Sequence, residues 1–173
     1  MKIFKLLTVL IVANALVACD PAQVKDDPTG TQGGATDSGA TTSSYAGEVS
    51  YDRAAINDTG SILAERVIYF EFDSDQVTQD FQDLLTHHGK YLAANGDVHL
   101  RLEGHADERG TREYNIALGN RRAQAVRRLI LLQGASASQI TVISYGEEKP
   151  VALNHDEEAW RLNRRVELIY ELN

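Results

Sequence analysis

The sequence predicts an α+β domain built as a two-layer sandwich, with helices packed on one face of a sheet and a long polar leader in front. Two observations lead there. Short β-branched or alternating runs take turns with longer segments whose apolar residues recur at helical spacing, and their order is strand, helix, strand, helix, strand, short helix, strand. In a chain of 173 residues, these elements occupy about 110, enough for a single core. The expected boundaries are 1–18 for a signal peptide, 19–60 for a linker and 61–173 for the folded domain.

The first strand is Val67-Ile68-Tyr69-Phe70-Glu71-Phe72, β-branched and aromatic throughout. Asp73-Ser74-Asp75 then offers side-chain acceptors for a helix start. That helix carries Phe81, Leu84, Leu85, Tyr91 and Leu92 and should end near Asn95-Gly96. His99-Leu100-Arg101-Leu102-Glu103 alternates like a half-buried strand, and Gly104 is expected to end it. After a polar turn closed by Gly110 and Thr111, Ile116, Ala123, Val126, Leu129 and Ile130 mark a second helix up to Gly134. Ile140–Tyr145 reads as a third strand, Asp156–Leu162 as a short helix and Val166–Tyr170 as the last strand.

The N-terminus sets an address. Lys2 and Lys5 precede an apolar run from Leu6 to Ala18. That run is shorter than the roughly 20 residues of a membrane span and reads as a secretory signal peptide. Leu16-Val17-Ala18-Cys19 resembles the bacterial lipobox, in which the Cys is lipidated and becomes the new N-terminus. Cys19 is the only cysteine, so no intramolecular disulfide can form. Several acyl chains, at about 0.8 kcal/mol per buried methylene, would hold the chain on a membrane, where one would be marginal. From Asp20 to about Gly60 the composition turns to Thr, Ser, Gly, Ala and Asp and cannot bury a core. As a disordered tether of about 40 residues it would reach roughly 35 Å on average. The formal charge of −8 argues against a nucleic-acid partner, which needs a basic surface.

The candidate site lies where the second strand meets the second helix. Asp107 falls in the turn and Arg122 on the first half of the helix that follows. A carboxylate and a guanidinium fork at matched separation are what a ligand needs when it carries an ammonium and a carboxylate on one carbon. His105 raises the question of a metal or an acid–base role. No second His or Cys stands at zinc-site spacing, and His87, His88, His99 and His155 fall in separate elements. A hydrogen-bonding histidine is the simpler reading. No phosphate loop and no nucleophile elbow is present, and nothing in the sequence calls for a cofactor or a catalytic role.

The segment GHADERGTREYNIALGNRRA (Gly104–Ala123), followed by SYGEEKP (Ser144–Pro150) and NRRVELIY (Asn163–Tyr170), resembles the OmpA-like family of peptidoglycan-binding domains. The similarity runs from about Val67 to the C-terminus. It implies a mixed sheet with helices on one face and a ligand, the free end of meso-diaminopimelate in the peptidoglycan stem peptide, held by Asp107 and Arg122. It also places Asn115, Leu118, Phe72 and Asp73 near that ligand. Arg164 or Arg165 could add a second guanidinium for stem-peptide carboxylates. The function so implied is a lipoprotein that tethers the outer membrane to the wall without catalysis, partnered by the periplasmic TolB propeller of the Tol system in envelope integrity and cell division. TolB should compete with peptidoglycan for one surface. The alternatives are a wall-binding lipoprotein without a Tol role and a metal-dependent wall hydrolase using His105, Asp107 and Glu108. Asp20, directly after the lipidated position, is a residue that in some bacteria retains lipoproteins in the inner membrane; the outer membrane is the expected site here.

Overall fold

The structure, a computed structural model, describes residues 49–171. The expected signal peptide, Cys19, Asp20 and most of the linker lie outside the described residues. Within them run β1 (Val67–Tyr69), α1 (Gln79–Ala94), β2 (His99–His105), α2 (Arg112–Leu131), β3 (Ile140–Gly146), α3 (Glu157–Asn163) and β4 (Arg165–Glu171). The four strands form one mixed sheet in the order β1-β4-β2-β3, with β4 antiparallel to both its neighbours and β3 parallel to β2. Among the described residues no helix is long and apolar enough to cross a membrane.

The alternation of β2 and β4 explains the two layers. Leu100, Leu102, Val166 and Leu168 point to one side and are at most 1% exposed. Leu84, Leu85 and Leu92 of α1 and Ala123, Val126 and Ile130 of α2 join them in the core. Each fully buried Leu or Ile contributes about 1.5–3 kcal/mol, which fixes the strand register, because a slip by one residue would turn every one of them to the other face. Arg101, Glu103, Arg165 and Glu167 alternate with them and stand on the open face of the sheet.

Helix α2 lies against β2 at a distance that only glycine allows. A Cβ on Gly104 would come within 2.0 Å of the Gly119 carbonyl oxygen. Gly104 does not end the strand, contrary to the expectation from its type; β2 continues to His105, with an irregularity in its pairing to β3 after Gly104. This close approach delivers the start of α2 to the end of β2.

Two further expectations are corrected. The first strand stops at Tyr69, and α1 begins at Gln79 after Thr78, so Asp73-Ser74-Asp75 does not cap it. Asp73 instead takes a left-handed backbone angle, φ 54°, a conformation that Asp tolerates better than most residues, and residues 70–78 run as a loop over the site. The folded body also starts before residue 61. Asp52 caps a 3-10 turn at Arg53–Asn57, Ser61 caps another at Ile62–Ala64, and Ile56, Ile62 and Leu63 enter the core. Tyr91 Oη donates to the Arg53 carbonyl (3.1 Å) and Asn95 Nδ2 to that of Tyr51 (2.9 Å), which clasps this segment to α1.

Candidate functional site

A cleft of about 230 Å³ opens at the C-terminal end of β2, lined by Phe72, Asp73, Asp107, Arg109, Gly110, Tyr114, Leu118 and Arg122. Its walls come from the 70–78 loop, the turn after β2 and the first half of α2. Thr111 caps α2 by accepting from the Tyr114 amide, and Gly110, at φ 120°, makes the bend that brings the turn back over the helix start.

Asp107 is 4% exposed and carries most of the local bonding. Its Oδ1 accepts from the Arg109 backbone N–H (3.1 Å) and Nε (3.2 Å), and its Oδ2 from Arg109 Nη2 (2.7 Å) and Arg164 Nη1 (3.3 Å). Burial pushes the carboxyl pKa up, but the bonds from Arg109 and Arg164 reverse that and hold it below the ordinary carboxylate value. The acid is therefore ionised at neutral pH. Arg164 is buried as well and bonds the Phe70 carbonyl (3.0 Å) and Glu157 (2.7 Å), tying the 70–78 loop, the turn and α3 into one unit. Arg109 lies between two aromatic rings, its guanidinium carbon 4.0 Å from the Phe72 centroid and 4.2 Å from that of Trp160.

Arg122 lines the cleft yet is fully buried. Nε donates to the Ser74 carbonyl (2.8 Å), Nη1 to that of His105 (2.9 Å) and Nη2 to that of Glu71 (3.1 Å). These bonds hold the 70–78 loop against the end of β2. A guanidinium has five N–H groups, so one hydrogen on each Nη is left without a protein acceptor. Burial lowers the Arg122 pKa to about 10, which leaves it charged at neutral pH.

The structure thus brings Asp107, Arg122, Leu118, Phe72 and Asp73 together in one cleft, with Arg164 behind Asp107. Phe72 is 56% exposed, unusual for a phenylalanine and suited to packing on a ligand's methylenes. Asp73 accepts from the Tyr114 hydroxyl. Asn115 is placed differently: it is buried, donates to Glu147 and sits 3.2 Å from where a Gly110 Cβ would be, so it braces the turn without lining the cleft. Arg165 is not brought to the cleft. It follows Arg164 by one residue in an extended chain, so its side chain goes to the open face and pairs with Glu167 (2.6 Å).

The residues considered for a hydrolase diverge. His105 faces the open side of the sheet, Asp107 faces the arginines, and Glu108 binds His155 (2.7 Å) and Trp160 Nε1 (2.8 Å). The one group among the described residues that could hold a metal is Glu103, His105 and Glu167, whose ligand atoms lie within 4.8 Å of one another. Both carboxylates are already neutralised, Glu103 by Arg101 (2.7 Å) and Glu167 by Arg165, so a cation there would have to displace arginine.

The sequence alone does not single out Arg109, Tyr114 and, behind them, Trp160 and Glu157, and it marks Gly110 only as the end of the turn. Asp107 and Arg109, two apart in a turn ending in glycine, could have signalled a local ion pair. Nothing local connects Trp160 to the turn; only the fold does.

The OmpA family model matches residues 69–164 of this chain. The peptidoglycan-associated lipoprotein of Pseudomonas aeruginosa PAO1 is 49% identical over 114 residues, covering 66% of this chain and 67% of that one. The same-named protein of Haemophilus influenzae is 47% identical over 103 residues, covering 60% and 67%. Among solved structures, the peptidoglycan-associated lipoprotein of Burkholderia pseudomallei superposes with a TM-score of 0.66 at 49% identity, over 67% of this chain and 98% of that one. The C-terminal domain of Helicobacter pylori MotB does so at 0.58 and 25% identity, over 63% and 86%.

Proposed function

Since this chain belongs to the OmpA family, we propose that it is a lipoprotein of the outer membrane that binds peptidoglycan non-covalently and so ties membrane to wall. The family works by binding and is non-enzymatic. The ligand we assign to the cleft is the free end of meso-diaminopimelate in the stem peptide. One observation carries this: an ionised, buried Asp107 and a buried Arg122 with unused N–H groups line the same cleft. The ammonium of the ligand's terminal carbon would take Asp107, its carboxylate the free N–H pair of Arg122, and its methylenes Phe72 and Leu118.

In this reading Cys19 carries the acyl chains and the segment after it is the tether. A single contact can be weak, because many anchored copies face a polymer of repeated ligands. The partnership with TolB extends the proposal: the exposed rim around Phe72 and Tyr114 is the surface for which TolB and the wall would compete. Co-sedimentation with diaminopimelate-type sacculi, with and without purified TolB, tests both parts. Binding that TolB suppresses supports them; binding to sacculi that TolB leaves untouched removes the Tol role and keeps the wall role. No sedimentation at all removes the wall role.

A further inference from the structure

The bonding of Asp107 poses a problem for any ligand with an ammonium: the carboxylate is already occupied by a cation. Of its two guanidinium partners, Arg164 is 4% exposed and has bonds from all three of its nitrogens, whereas Arg109 is 30% exposed. Arg109 covers Asp107 with two side-chain bonds, stacks between Phe72 and Trp160, and approaches Glu157 at 3.4 Å. It also lines the cleft itself.

We propose that Arg109 occupies, in the unliganded protein, the place on Asp107 that the ligand's ammonium takes, and that this internal cation makes the cleft select zwitterions over simple amines. The proposal rests on the cleft being the ligand site. An incoming ammonium exchanges one cation for another at Asp107, so that contact alone brings little net gain. The displaced guanidinium also leaves its two ring faces. A ligand with only an ammonium offers nothing in return. A ligand whose carboxylate is on the same carbon offers the freed guanidinium an acceptor on the oxygen lone pairs that Arg122 leaves unused. Asp107 is not left bare during the exchange, because the Arg109 backbone N–H and Arg164 remain on it. Selectivity thus comes from what must be displaced as much as from what is contacted.

Trp160 is the only tryptophan of the chain and one of the two rings that Arg109 must leave, so the exchange has an intrinsic reporter. The test titrates the purified chain with the stem tripeptide L-Ala-D-γ-Glu-meso-diaminopimelate and with its lysine counterpart, read by calorimetry and by Trp160 emission. Wild type should favour diaminopimelate at least about tenfold and change its emission on saturation. Arg109→Gln removes the competitor: the lysine peptide should tighten about fivefold, in line with removing a competing state. The preference should then fall at least about threefold, with Arg122 retaining the rest. Arg109→Lys, which keeps the charge and loses the fork and the flat stacking face, should lie between. If Arg109→Gln weakens both peptides equally and keeps their ratio, Arg109 only orients Asp107 and the proposal is wrong. An unchanged Trp160 emission at saturation of wild type overturns it too. Wild type binding neither peptide is a different failure, that of the cleft as ligand site.

Discussion

Replacing Asp107 by Asn separates the two tasks that this side chain performs, holding the fold's end together and receiving a cation. The carboxylate is 4% exposed and accepts four hydrogen bonds, three from Arg109 and one from the buried Arg164. Removing one partner of a buried ion pair typically costs about 3–5 kcal/mol, chiefly because the other charge stays buried and unpaired. Here the loss is softened. Arg109 can turn to solvent or Glu157, and Arg164 keeps the Phe70 carbonyl and Glu157. The expected cost is about 2–4 kcal/mol, a fall of roughly 8–16 °C in melting temperature for a domain of this size.

Urea denaturation followed by Trp160 emission gives the difference, and pH gives its origin. The folded pKa of Asp107 lies below the ordinary value of 3.8, so its contribution is complete above about pH 4 and fades as the pH falls through the lower, folded value. The gap between wild type and Asp107→Asn should therefore be full at pH 7 and narrow below about pH 4. Binding to sacculi at pH 7 should drop about threefold, beyond any effect of unfolding: a charge-assisted bond contributes about 1.5–3 kcal/mol, and the Arg109 bonds that the ammonium displaces offset most of it. Equal stability of the two proteins at pH 7, or a gap that ignores acid, would refute the ion-pair reasoning. Unchanged sedimentation would remove Asp107 from the site.

Two further sets of outcomes follow from the geometry, at Arg122 and His88, and one from the sequence, at Cys19. Arg122→Lys keeps a positive charge but places it on one nitrogen that cannot span the carbonyls of Glu71, Ser74 and His105; losing about two bonds to a charged donor should destabilise the domain by about 3–6 kcal/mol, and urea midpoints equal to wild type would contradict this. The same variant should bind diaminopimelate peptide more weakly even where folded, Arg122→Ala more weakly still, and equal affinity of Lys and Arg would leave only general electrostatic attraction. His88 is fully buried between the Glu65 carbonyl and the Tyr170 hydroxyl, and burial lowers its pKa from 6.5 to about 4; the unfolded chain takes up the proton first, so stability should fall by roughly 3 kcal/mol between pH 6.5 and 4. His88→Gln should remove that share of the slope and leave the share of His105, whose pKa burial also lowers from 6.5 to about 4, and a variant curve parallel to wild type would show that His88 does not titrate as described. Cys19→Ser should abolish incorporation of labelled fatty acid, and continued labelling would end the lipoprotein reading.

The elements were legible in the sequence wherever side-chain periodicity set them. Leu100 and Leu102 alternate into the core, and α2 follows its apolar spacing up to a turn containing Gly134. What could not be read was set by contacts between distant parts. Gly104 looks like a stop in its own strand and is a contact point for Gly119. Asp73-Ser74-Asp75 has the composition of a helix cap, and the same residue types suit a left-handed turn; the carbonyls that Arg122 takes from this loop decide between the two. Ile56 and Leu63 stand too far apart in a polar stretch to show a period, and only the groove beside α1 gives them a place. Asp107 and Arg122 were found as a pair, but their bonds to Arg109, Arg164 and three carbonyls were not, because a motif names residues and not their partners.

Those partners change what the site means physically. A side chain that served only as a ligand contact would sit at the cleft surface with its bonding capacity free. Arg122 and Asp107 are instead almost wholly buried, and between them they hold the 70–78 loop, the end of β2, the turn and, through Arg164, the start of α3. Each guanidinium and carboxylate is fixed by several bonds before any ligand arrives, so little side-chain freedom remains to be lost on binding. The cost is that recognition cannot be altered without loosening the fold at the same point. Variants at Arg122 and Asp107 should therefore lose stability and binding together, whereas Phe72, 56% exposed, is the position where binding can change while the fold stays intact; Arg109, which gives Asp107 two of its three side-chain bonds, falls between the two.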